Sequence, residues 1–305
     1  MILVVTCKDV SQVTGGLERA AKKLGSWLES IDSVRFYTAK GLLMDRKLSR
    51  NCEILLVGHR SIGLLVFAFY CSIMKRQFSW CPFWHDYNLE QKKGLRFRLY
   101  DILFKVALSF SKNHFVVSNY EKKNTVTNAS QHIVRLPGFI ESDDKGDSFS
   151  INRERSIDML FVGRDVPHKQ RSFANQIACK LDLNYVEIIA GEDFISDEKL
   201  AEVYRNTKVV FIPSKYESYS LVAVEALLAG AVVVAFPNVQ VGEALVDVSR
   251  FIVTPDHLDV ATERVSLALA EWTGVSDSEF DSIADHFSNE TCKKIFLNCF
   301  SKDKY

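Results

Sequence analysis

The sequence has no apolar run long enough to cross a bilayer and no cysteine pair with the spacing of a metal or redox site. The longest apolar stretch, residues 61–74 (SIGLLVFAFYCSIM), is shorter than the roughly 20 residues that a membrane-spanning helix needs. The seven cysteines include no CxxC pair, which is typical of a reducing compartment. No basic leader precedes MILVVT, which predicts a first strand rather than a signal peptide. We therefore expect a cytoplasmic protein, and attachment to a membrane surface stays open.

Charge is divided unevenly along an otherwise ordinary chain. The 305 residues are 47% hydrophobic and 25% charged, which suits a globular protein with two domains of about 150 residues. Residues 1–140 contain 21 Lys and Arg against 10 Asp and Glu, whereas residues 141–305 contain 17 against 28, so net charges of +11 and −11 cancel. This division indicates either a basic half that meets an anionic surface or attraction between two oppositely charged halves.

Short β-branched strands alternate with helical patterns along the chain. This alternation predicts an α/β fold with parallel sheets covered by helices on both faces. A polar stretch at 141–156, rich in Asp, Ser and Gly, predicts a linker between domains at 1–140 and 157–288, with a C-terminal helix at 289–305. Strands are predicted at 2–6, 34–38, 53–57, 114–117, 132–136, 158–162, 185–190, 208–212, 231–236 and 250–253, and helices at 17–29, 91–111, 170–181, 197–205, 220–229, 257–272 and 289–300.

Two glutamates accompany one predicted helix in the stretch PSKYESYSLVAVEALLAGAVVVAF (213–236). Glu217 lies in the loop after a strand, Glu225 lies about two helical turns further on, and Gly230 stands where a C-terminal cap is expected. Open α/β sheets bind ligands at this carboxyl edge, and the free N–H groups of the helix favour an anion. Carboxylates repel phosphate but accept hydrogen bonds from sugar hydroxyls, so the stretch fits a nucleotide sugar. The alternative is that Glu217 only complements the helix dipole and Glu225 is solvated.

A second cluster follows the predicted strand at 158–162. Gly163 predicts a tight turn there, and Arg164 and Lys169 precede the next helix. Because the carboxyl ends of parallel strands share one edge, these cations should stand beside the Glu217 loop. Arg offers a fork and Lys a point charge to a diphosphate, although ordinary surface cations would give the same pattern.

The two clusters together resemble glycosyltransferase family 4, which has the GT-B fold of two Rossmann-like domains facing across a cleft. VGRDVPHK and PSKYESYSLVAVEALLAGAVVVAF match the order and spacing of the family's GR…K loop and its PS…EGFG…EA…G.PVV block. EKLAEVYRNTKVVFIPS, TGGLERAAKKL and FVVSNYEKKN are similar to further family segments. The resemblance is most specific in the second half. It implies an acceptor-binding first domain, a nucleotide-sugar-binding second domain and a C-terminal helix that crosses back to the first.

The resemblance also implies roles for individual residues. Glu217 would hold the donor hexose, Glu225 the ribose, and Arg164 and Lys169 the diphosphate. His85, in FWHDYN, matches a histidine that faces the donor sugar, although a lone histidine is often structural, and the signal for the adjacent Asp86 is weaker. The catalytic set is thus Glu217, His85, Arg164 and Lys169. The donor-binding set is Gly15, Gly16, Gly163, Arg164, Lys169, Gly191, Ile195, Glu217, Ser218, Tyr219, Ser220, Leu221 and Glu225, in which the Gly15–Gly16 pair could equally form a plain turn.

One departure from the family concerns the glycines of its EGFG segment. Here the segment is ESYS, so Ser218 and Ser220 stand where glycines usually stand. Backbone N–H groups remain, but a serine narrows the approach of a ligand and adds a hydroxyl. The choice of donor, including UDP- or GDP-linked, is therefore not predicted.

The family transfers sugars with retention of anomeric configuration, and the resemblance implies this chemistry. No carboxylate pair with the spacing of a retaining hydrolase is evident. The acceptor hydroxyl would attack the face that the nucleoside diphosphate leaves, and the leaving phosphate would take its proton. Arg164, Lys169 and the helix N-terminus would supply position and charge neutralisation. We expect no metal and no cofactor beyond the nucleotide-sugar co-substrate, since the sequence has no Asp-x-Asp motif.

The stretch at 92–112 (KKGLRFRLYDILFKVALSFSK) mixes cations with an apolar face. It predicts either a core helix with a solvated basic side or a helix on an anionic bilayer. The second interpretation favours a saccharide or lipid-linked acceptor at the inner face of the cell membrane, as in polysaccharide, lipopolysaccharide or O-antigen assembly, and no nucleic-acid partner. The cations of this helix that would face the bilayer are Lys92, Lys93, Arg96, Arg98 and Lys105.

Two other hypotheses for the function stay open. One is a nucleotide-sugar epimerase of the same fold, and the other is a donor-binding subunit without turnover.

Overall fold

The computed structural model divides the chain into two compact units. One contains residues 1–139 and 289–305, and the other contains residues 140–288. Each unit has its own sheet and its own apolar core. The structure describes residues 1–7, 9, 16–44, 52–58, 61–83, 94–125, 132–136, 154–190, 195–217, 219–245, 248–273, 276–286 and 289–300.

The first unit is built on a six-stranded parallel sheet. Its strands are β1 (Ile2–Thr6), β2 (Val34–Thr38), β3 (Glu53–Val57), β4 (Ser79–Cys81), β5 (Asn113–Val116) and β6 (His132–Arg135). They lie in the order β2-β1-β3-β4-β5-β6. The side chains of Val4, Leu55 and Val116 are completely buried, as expected for parallel strands that helices cover on both faces.

Five helices of the first unit accompany these strands in sequence. They are α1 (Gly16–Leu28), α2 (Ala39–Met44), α3 (Ile62–Ile73), α4 (Leu95–Leu108) and α5 (Asn119–Thr125). Trp80 of β4 is fully buried in the core, where Nε1 donates to the Gly58 carbonyl at 2.7 Å and the ring meets Phe104 of α4 edge to face. In the described part of the chain, no helix combines the length and the apolar character needed to cross a membrane.

The second unit contains a five-stranded parallel sheet. Its strands are β7 (Ile157–Gly163), β8 (Tyr185–Ile189), β9 (Thr207–Ile212), β10 (Val232–Ala235) and β11 (Phe251–Val253). They lie in the order β11-β10-β9-β7-β8. Counted within the unit this is the doubly wound order 2-1-3-4-5, and the first unit has the same order with a sixth strand added. The order reverses between β7 and β9, so the loops after these two strands flank the switch point at which such sheets bind ligands.

The helices of the second unit pack around this sheet. They are α6 (Arg171–Leu181), α7 (Asp197–Arg205), α8 (Leu221–Leu228), α9 (Leu258–Ala270) and α10 (Asp277–His286). Phe173 of α6, Phe211 of β9 and Phe236 after β10 form an aromatic cluster, with the Phe236 ring centroid 5.2 Å from that of Phe173 and 5.8 Å from that of Phe211. This cluster fixes the start of α6 against the ends of two strands beside the switch point.

The last helix, α11 (Asn289–Asn298), belongs to the first unit. Its Phe296 is fully buried, with the ring centroid 5.7 Å from Trp27 of α1 and 5.0 Å from Phe115 of β5. The Cys299 carbonyl, one residue past the helix, accepts a hydrogen bond from Asn113 at 3.4 Å. The C-terminal helix therefore packs on the unit that the N-terminus begins.

The two parallel-sheet units confirm the predicted α/β fold class. The sequence pattern does not predict β4, α2, α3, α5 or α10, because these elements are short or, in α3, apolar on every side and without a helical period. Arg155 lies in the stretch predicted as a linker, yet it is buried and donates to the carbonyls of Thr207 at 2.5 Å and Ala229 at 2.8 Å. The ordered structure of the second unit thus begins before residue 157.

His114 on β5 predicts a pH dependence of stability. The side chain is fully buried, Nε2 lies 3.2 Å from Thr125 Oγ1, and Nδ1 has no hydrogen-bond partner among the described residues. Burial lowers the pKa of His114 to about 4, whereas an unfolded histidine has a pKa near about 6.5. Between these values the unfolded chain binds a proton that the folded chain does not. The free energy of unfolding should therefore fall as the pH falls through this window, by up to about 1.4 kcal/mol per unit.

The substitution His114→Gln removes this titration and should flatten the decline in unfolding free energy between pH 6.5 and about 4. Denaturant unfolding at several pH values measures the slope, which is informative even if the variant is less stable overall. His257→Gln, at an exposed histidine of the second unit, is the control and should keep the wild-type slope. Identical slopes for His114→Gln and wild type would contradict the prediction.

Candidate functional site

The two loops that flank the switch point of the second unit lie side by side. Residues 164–170 follow β7, and residues 213–217 follow β9, which pairs directly with β7. The Lys215 N–H donates to the His168 carbonyl at 2.8 Å, and the rings of His168 and Tyr216 stack with centroids 4.6 Å apart. The prediction that the two clusters share one edge of the sheet is confirmed.

Lys169 and Glu217 form a largely buried ion pair where these loops meet. Nζ of Lys169 lies 2.6 Å from Oε1 of Glu217, and the two side chains are only 16% and 11% exposed. Ser214 Oγ donates to the same oxygen at 2.7 Å. Oε2 accepts no hydrogen bond from the part of the chain that the structure describes. The carboxylate is thus anchored through one oxygen.

The backbone and the charge state of Glu217 are also fixed. Its N–H donates to the Asn238 carbonyl at 3.0 Å, and its carbonyl accepts from the Gln240 N–H at 3.1 Å, so the loop is bridged to the segment after β10. Burial raises the pKa of Glu217, but the charge and hydrogen bond of Lys169, with the Ser214 and Ser220 hydroxyls, outweigh it and lower the pKa below its usual value. Glu217 is therefore an ionised group that only accepts hydrogen bonds near neutral pH.

Helix α8 begins at Leu221, and no side chain of a described residue caps its first turn. Ser220, at the N-cap, has a left-handed backbone with φ 55°. Its buried Oγ makes no hydrogen bond of normal length and angle to a described residue, so it contacts Glu217 only weakly. Uncapped N–H groups and an unpartnered hydroxyl at the positive end of a helix suit an anionic ligand.

The opposite end of α8 has several hydrogen-bond partners. Gly230 has φ 75° and donates to the Leu227 carbonyl at 2.9 Å, as in a Schellman motif, which confirms the predicted C-terminal cap. Arg155 donates to the Ala229 carbonyl at 2.8 Å, and Arg250 donates to the Gly230 carbonyl at 3.5 Å. Two buried cations at the carbonyl end complement the helix dipole. Among the described residues, side chains therefore bind the C-terminal end of α8 and not its N-terminal end.

The two arginines of the first loop have different environments. Arg164 is exposed, and its guanidinium makes no ion pair with a described residue. Arg171, the first residue of α6, pairs with Glu187 of β8, and its Nη1 lies 3.1 Å from Oδ2 of Asp165. Arg171 thus fixes the start of α6, whereas Arg164 is available to a ligand.

Glu225 has a partner of its own. The buried Tyr204 on α7 donates from Oη to Glu225 Oε2 at 3.2 Å. Because α8 starts at Leu221 and Glu217 lies before it in a bridge to Val239, the interval between the two glutamates is only partly helical. The predicted separation of two helical turns is therefore wrong, and Glu225 lies about one turn past the helix start.

The other predicted site residues are placed as follows. Gly163 does not form the predicted turn, because the chain stays extended and Gly163 pairs with Ile189 as the last residue of β7. Ile195 is half-buried and precedes the N-cap of α7, Tyr219 is buried, and Gly16 begins α1. Several predicted residues lie outside the described ones: Gly15, His85, Asp86, Lys92, Lys93, Gly191 and Ser218.

Sequence reasoning missed two residues that hold the glutamates. Ser214 lies three positions before Glu217 in the quoted motif, so a hydroxyl at that spacing could have been identified as a partner. Tyr204 lies on a different helix from Glu225, and no local spacing connects the two.

The left-handed backbone of Ser220 predicts that Ser220→Gly stabilises the second unit. Glycine adopts φ 55° without the cost of about 1–2 kcal/mol that a Cβ brings, and the substitution removes a buried unpaired hydroxyl. The greater freedom of glycine in the unfolded chain offsets part of this gain. We expect a net gain of about 1 kcal/mol, which raises the melting temperature by about 2–4 °C.

Thermal unfolding measures this gain, and Ser109→Gly is the matched control. Ser109 has φ −63°, where glycine relieves no strain, so the control should not raise the melting temperature. A lower melting temperature for Ser220→Gly than for wild type would show that the hydroxyl stabilises the loop.

The second half of the chain matches a family of enzymes. Residues 147–270 match the model of the family described as Glycosyl transferases group 1. Comparison of the whole sequence with curated proteins gave no match.

Solved structures with the same architecture extend over almost the whole chain. Sucrose-phosphate synthase from Thermosynechococcus elongatus has a TM-score of 0.73 at 11% identity and covers 98% of this chain and 98% of its own. Anabaena HepE in complex with UDP and glucose has a TM-score of 0.68 at 14% identity, with 99% of each chain covered. WaaG, a glycosyltransferase involved in lipopolysaccharide biosynthesis, has a TM-score of 0.59 at 12% identity and covers 100% of this chain and 96% of its own. The chain thus has the GT-B fold of two parallel-sheet α/β domains, and its second half matches the group 1 glycosyltransferases.

Proposed function

We propose that this protein is a retaining glycosyltransferase of the family 4 type. It transfers a hexose from a UDP- or GDP-linked sugar to a lipid-linked saccharide at the cytoplasmic face of a membrane. The observation that carries the proposal is the buried Lys169–Glu217 pair beside the uncapped N-terminus of α8, within the segment that matches the group 1 glycosyltransferases. The complex of HepE with UDP and glucose supports this donor class.

The diphosphate of the donor binds at the N-terminus of α8. The free N–H groups of the first turn and the unpartnered Ser220 hydroxyl donate to phosphate oxygens, and the exposed Arg164 supplies a guanidinium fork. Lys169 has three ammonium protons, of which one is held by Glu217 and the others are available to phosphate. The site thus neutralises the charge that develops on the leaving nucleoside diphosphate.

The hexose binds at Glu217 and the ribose at Glu225. Lys169 and Ser214 hold Oε1 of Glu217, so Oε2 accepts a hydrogen bond from a sugar hydroxyl. The lowered pKa keeps this carboxylate ionised and therefore an acceptor. Tyr204 orients Glu225 in the same way toward the ribose hydroxyls.

In the reaction, the oxygen of the acceptor forms a bond to the anomeric carbon on the face from which the nucleoside diphosphate departs. The bond between that carbon and the phosphate oxygen breaks, and the departing phosphate takes the proton of the acceptor hydroxyl. The products are a glycoside of unchanged configuration and a nucleoside diphosphate. The protein contributes orientation and electrostatic stabilisation, and only the family resemblance implies a role for His85.

Two substitutions separate phosphate binding from sugar transfer. Arg164→Ala should weaken the binding of UDP or GDP by about 10- to 100-fold, because it removes a charge-assisted hydrogen bond. Glu217→Gln should keep nucleotide binding near the wild-type value and lose transfer and donor hydrolysis, because the neutral amide is a poorer acceptor. Calorimetry measures the binding, and release of nucleoside diphosphate from a panel of nucleotide sugars measures turnover.

Lys208→Ala is the matched control, since Lys208 lies at the opposite end of β9 and pairs with Asp158 at 2.8 Å. It should bind nucleotide like wild type. Nucleotide affinity that is unchanged in Arg164→Ala would place the phosphate site elsewhere. Donor converted to an epimer without acceptor would favour the epimerase, and donor binding without turnover of any substrate would favour a binding subunit.

The stereochemistry of the product is a separate prediction. NMR of the product formed from an α-linked donor should show an α-glycoside. A β-glycoside would rule out the retaining mechanism and leave the donor site intact.

A further inference from the structure

Helices α3 and α4 of the first unit expose two stripes of large apolar side chains. On α3, Ile62 and Ile73 are 73% and 78% exposed, and on α4, Leu95 is 83% exposed. Isolated apolar residues on a surface need no explanation, but a continuous set marks an interaction site. The exposed members are Ile62, Val66, Tyr70, Ile73 and Met74 on or after α3, and Leu95, Leu99, Ile102, Leu103, Val106 and Phe110 on or after α4.

The two stripes form one surface, which we name the α3–α4 face. Both helices contribute buried side chains to the same core beneath them, including Phe67 of α3 and Phe104 of α4, so their outer sides point away from the same side of the sheet. Tyr100 of α4 binds the backbone of Ser61 at the start of α3, with its hydroxyl 3.1 Å from the amide nitrogen and 3.3 Å from the carbonyl oxygen. The helices are therefore held together and present their apolar residues jointly.

Cations border the apolar stripe of α4 on both sides. At about 100° per residue, the exposed apolar residues of α4 span an arc of about 100°, with Arg96 beyond one edge and Arg98 and Lys105 beyond the other. Across residues 61–76 and 94–112 there are six cations and one acid, Asp101, which pairs with Lys105 at 3.0 Å. The six cations are Lys75, Arg76, Arg96, Arg98, Lys105 and Lys112.

We propose that the α3–α4 face docks on an anionic lipid bilayer, with its apolar stripes inserted at the interface and its cations against the headgroups. An apolar stripe bordered by Lys and Arg is the pattern of helices that lie in the plane of a membrane. A second copy of the chain fits less well, because a two-fold contact would place like-charged borders against each other. This inference deepens the proposed function. It rests on that function only for the purpose of docking, which is to bring the enzyme to a lipid-linked acceptor.

The sequence alone predicts either a core helix or a helix on an anionic bilayer for the stretch at 92–112, and in the second case binding that becomes weak at high salt. The structure adds the exposed apolar side chains of a second helix, which predicts a different salt dependence. Salt screens the cations but does not weaken apolar insertion. Binding to anionic vesicles should therefore fall as salt rises and then level off above zero.

Sedimentation with vesicles tests the inference on the full chain. The vesicles are phosphatidylcholine alone or phosphatidylcholine mixed with phosphatidylglycerol, across a salt series. Wild type should bind the mixed vesicles more strongly. Leu99→Gln with Ile102→Gln should reduce binding about tenfold or more at every salt concentration. Arg96→Gln, Arg98→Gln and Lys105→Gln together should reduce it on the order of 100-fold at low salt and remove the salt dependence.

Matched controls change similar residues elsewhere. Ile31→Gln with Leu267→Gln alters two aliphatic residues that are 42% and 43% exposed, and Lys22→Gln, Lys40→Gln and Lys122→Gln remove three exposed cations of the first unit. Both controls should bind nearly like wild type. Equal binding by the face variants and wild type, or no binding by wild type, would overturn the inference.

Two further measurements make the outcome specific. Sedimentation velocity without vesicles should show a monomer, and a dimer that Leu99→Gln with Ile102→Gln dissociates would identify the face as a contact between copies. Nucleotide titration of the same variants without vesicles should give wild-type affinity. If vesicle binding fails while nucleotide affinity is intact, this inference is wrong and the proposed function stands. If nucleotide binding fails while vesicle binding is intact, the proposed function is wrong and this inference stands.

Discussion

The organisation of the second unit depends on the ion pair between Lys169 and Glu217. Removing both charges from water costs free energy that their attraction only partly offsets, and apolar residues of similar volume often give a fold of equal stability. The pair is therefore poorly explained by stability alone. The proposed function would account for it, because the donor needs an ammonium and a carboxylate at fixed positions. The two loops hold these groups in place before any ligand arrives, with Ser214 on the shared oxygen.

Helix α8 is organised by the same constraint. Its carbonyl end is closed by Gly230, Arg155 and Arg250, while its amide end has no side-chain cap and begins at the strained Ser220. A side-chain N-cap contributes about 1 kcal/mol, and α4, α6 and α9 also lack one, so it is the position of α8 at the switch point that sets it apart. Strain and unpaired donors gathered at one end are characteristic of a functional site. The asymmetry of α8 therefore supports an anionic ligand beside the Lys169–Glu217 pair.

The sequence predicts where the site lies better than how its residues are connected. The carboxyl ends of parallel strands share an edge, so Arg164, Lys169 and Glu217 could be placed together from the strand pattern alone. The ion pair could not be predicted, because spacing does not show which charges satisfy each other before a ligand binds. Gly163 illustrates another limit: glycine permits a turn but does not require one, and here it completes a strand. The partner of Glu225 lies on another helix, beyond any local pattern.

Helix α3 explains why its stretch gave no helical period. Its inner residues pack toward the sheet, and its outer residues are equally apolar. Apolar and polar residues therefore do not alternate with a helical period along this stretch. A helix that is apolar all round is normally buried on every side, and α3 is not covered by any described residue on its outer side. A surface that is only apolar would promote aggregation, and one that is only basic would bind any polyanion. The two together on α3 and α4 favour the proposed anionic bilayer, and this proposal links the apolar run at 61–74 to the excess positive charge of the first 140 residues.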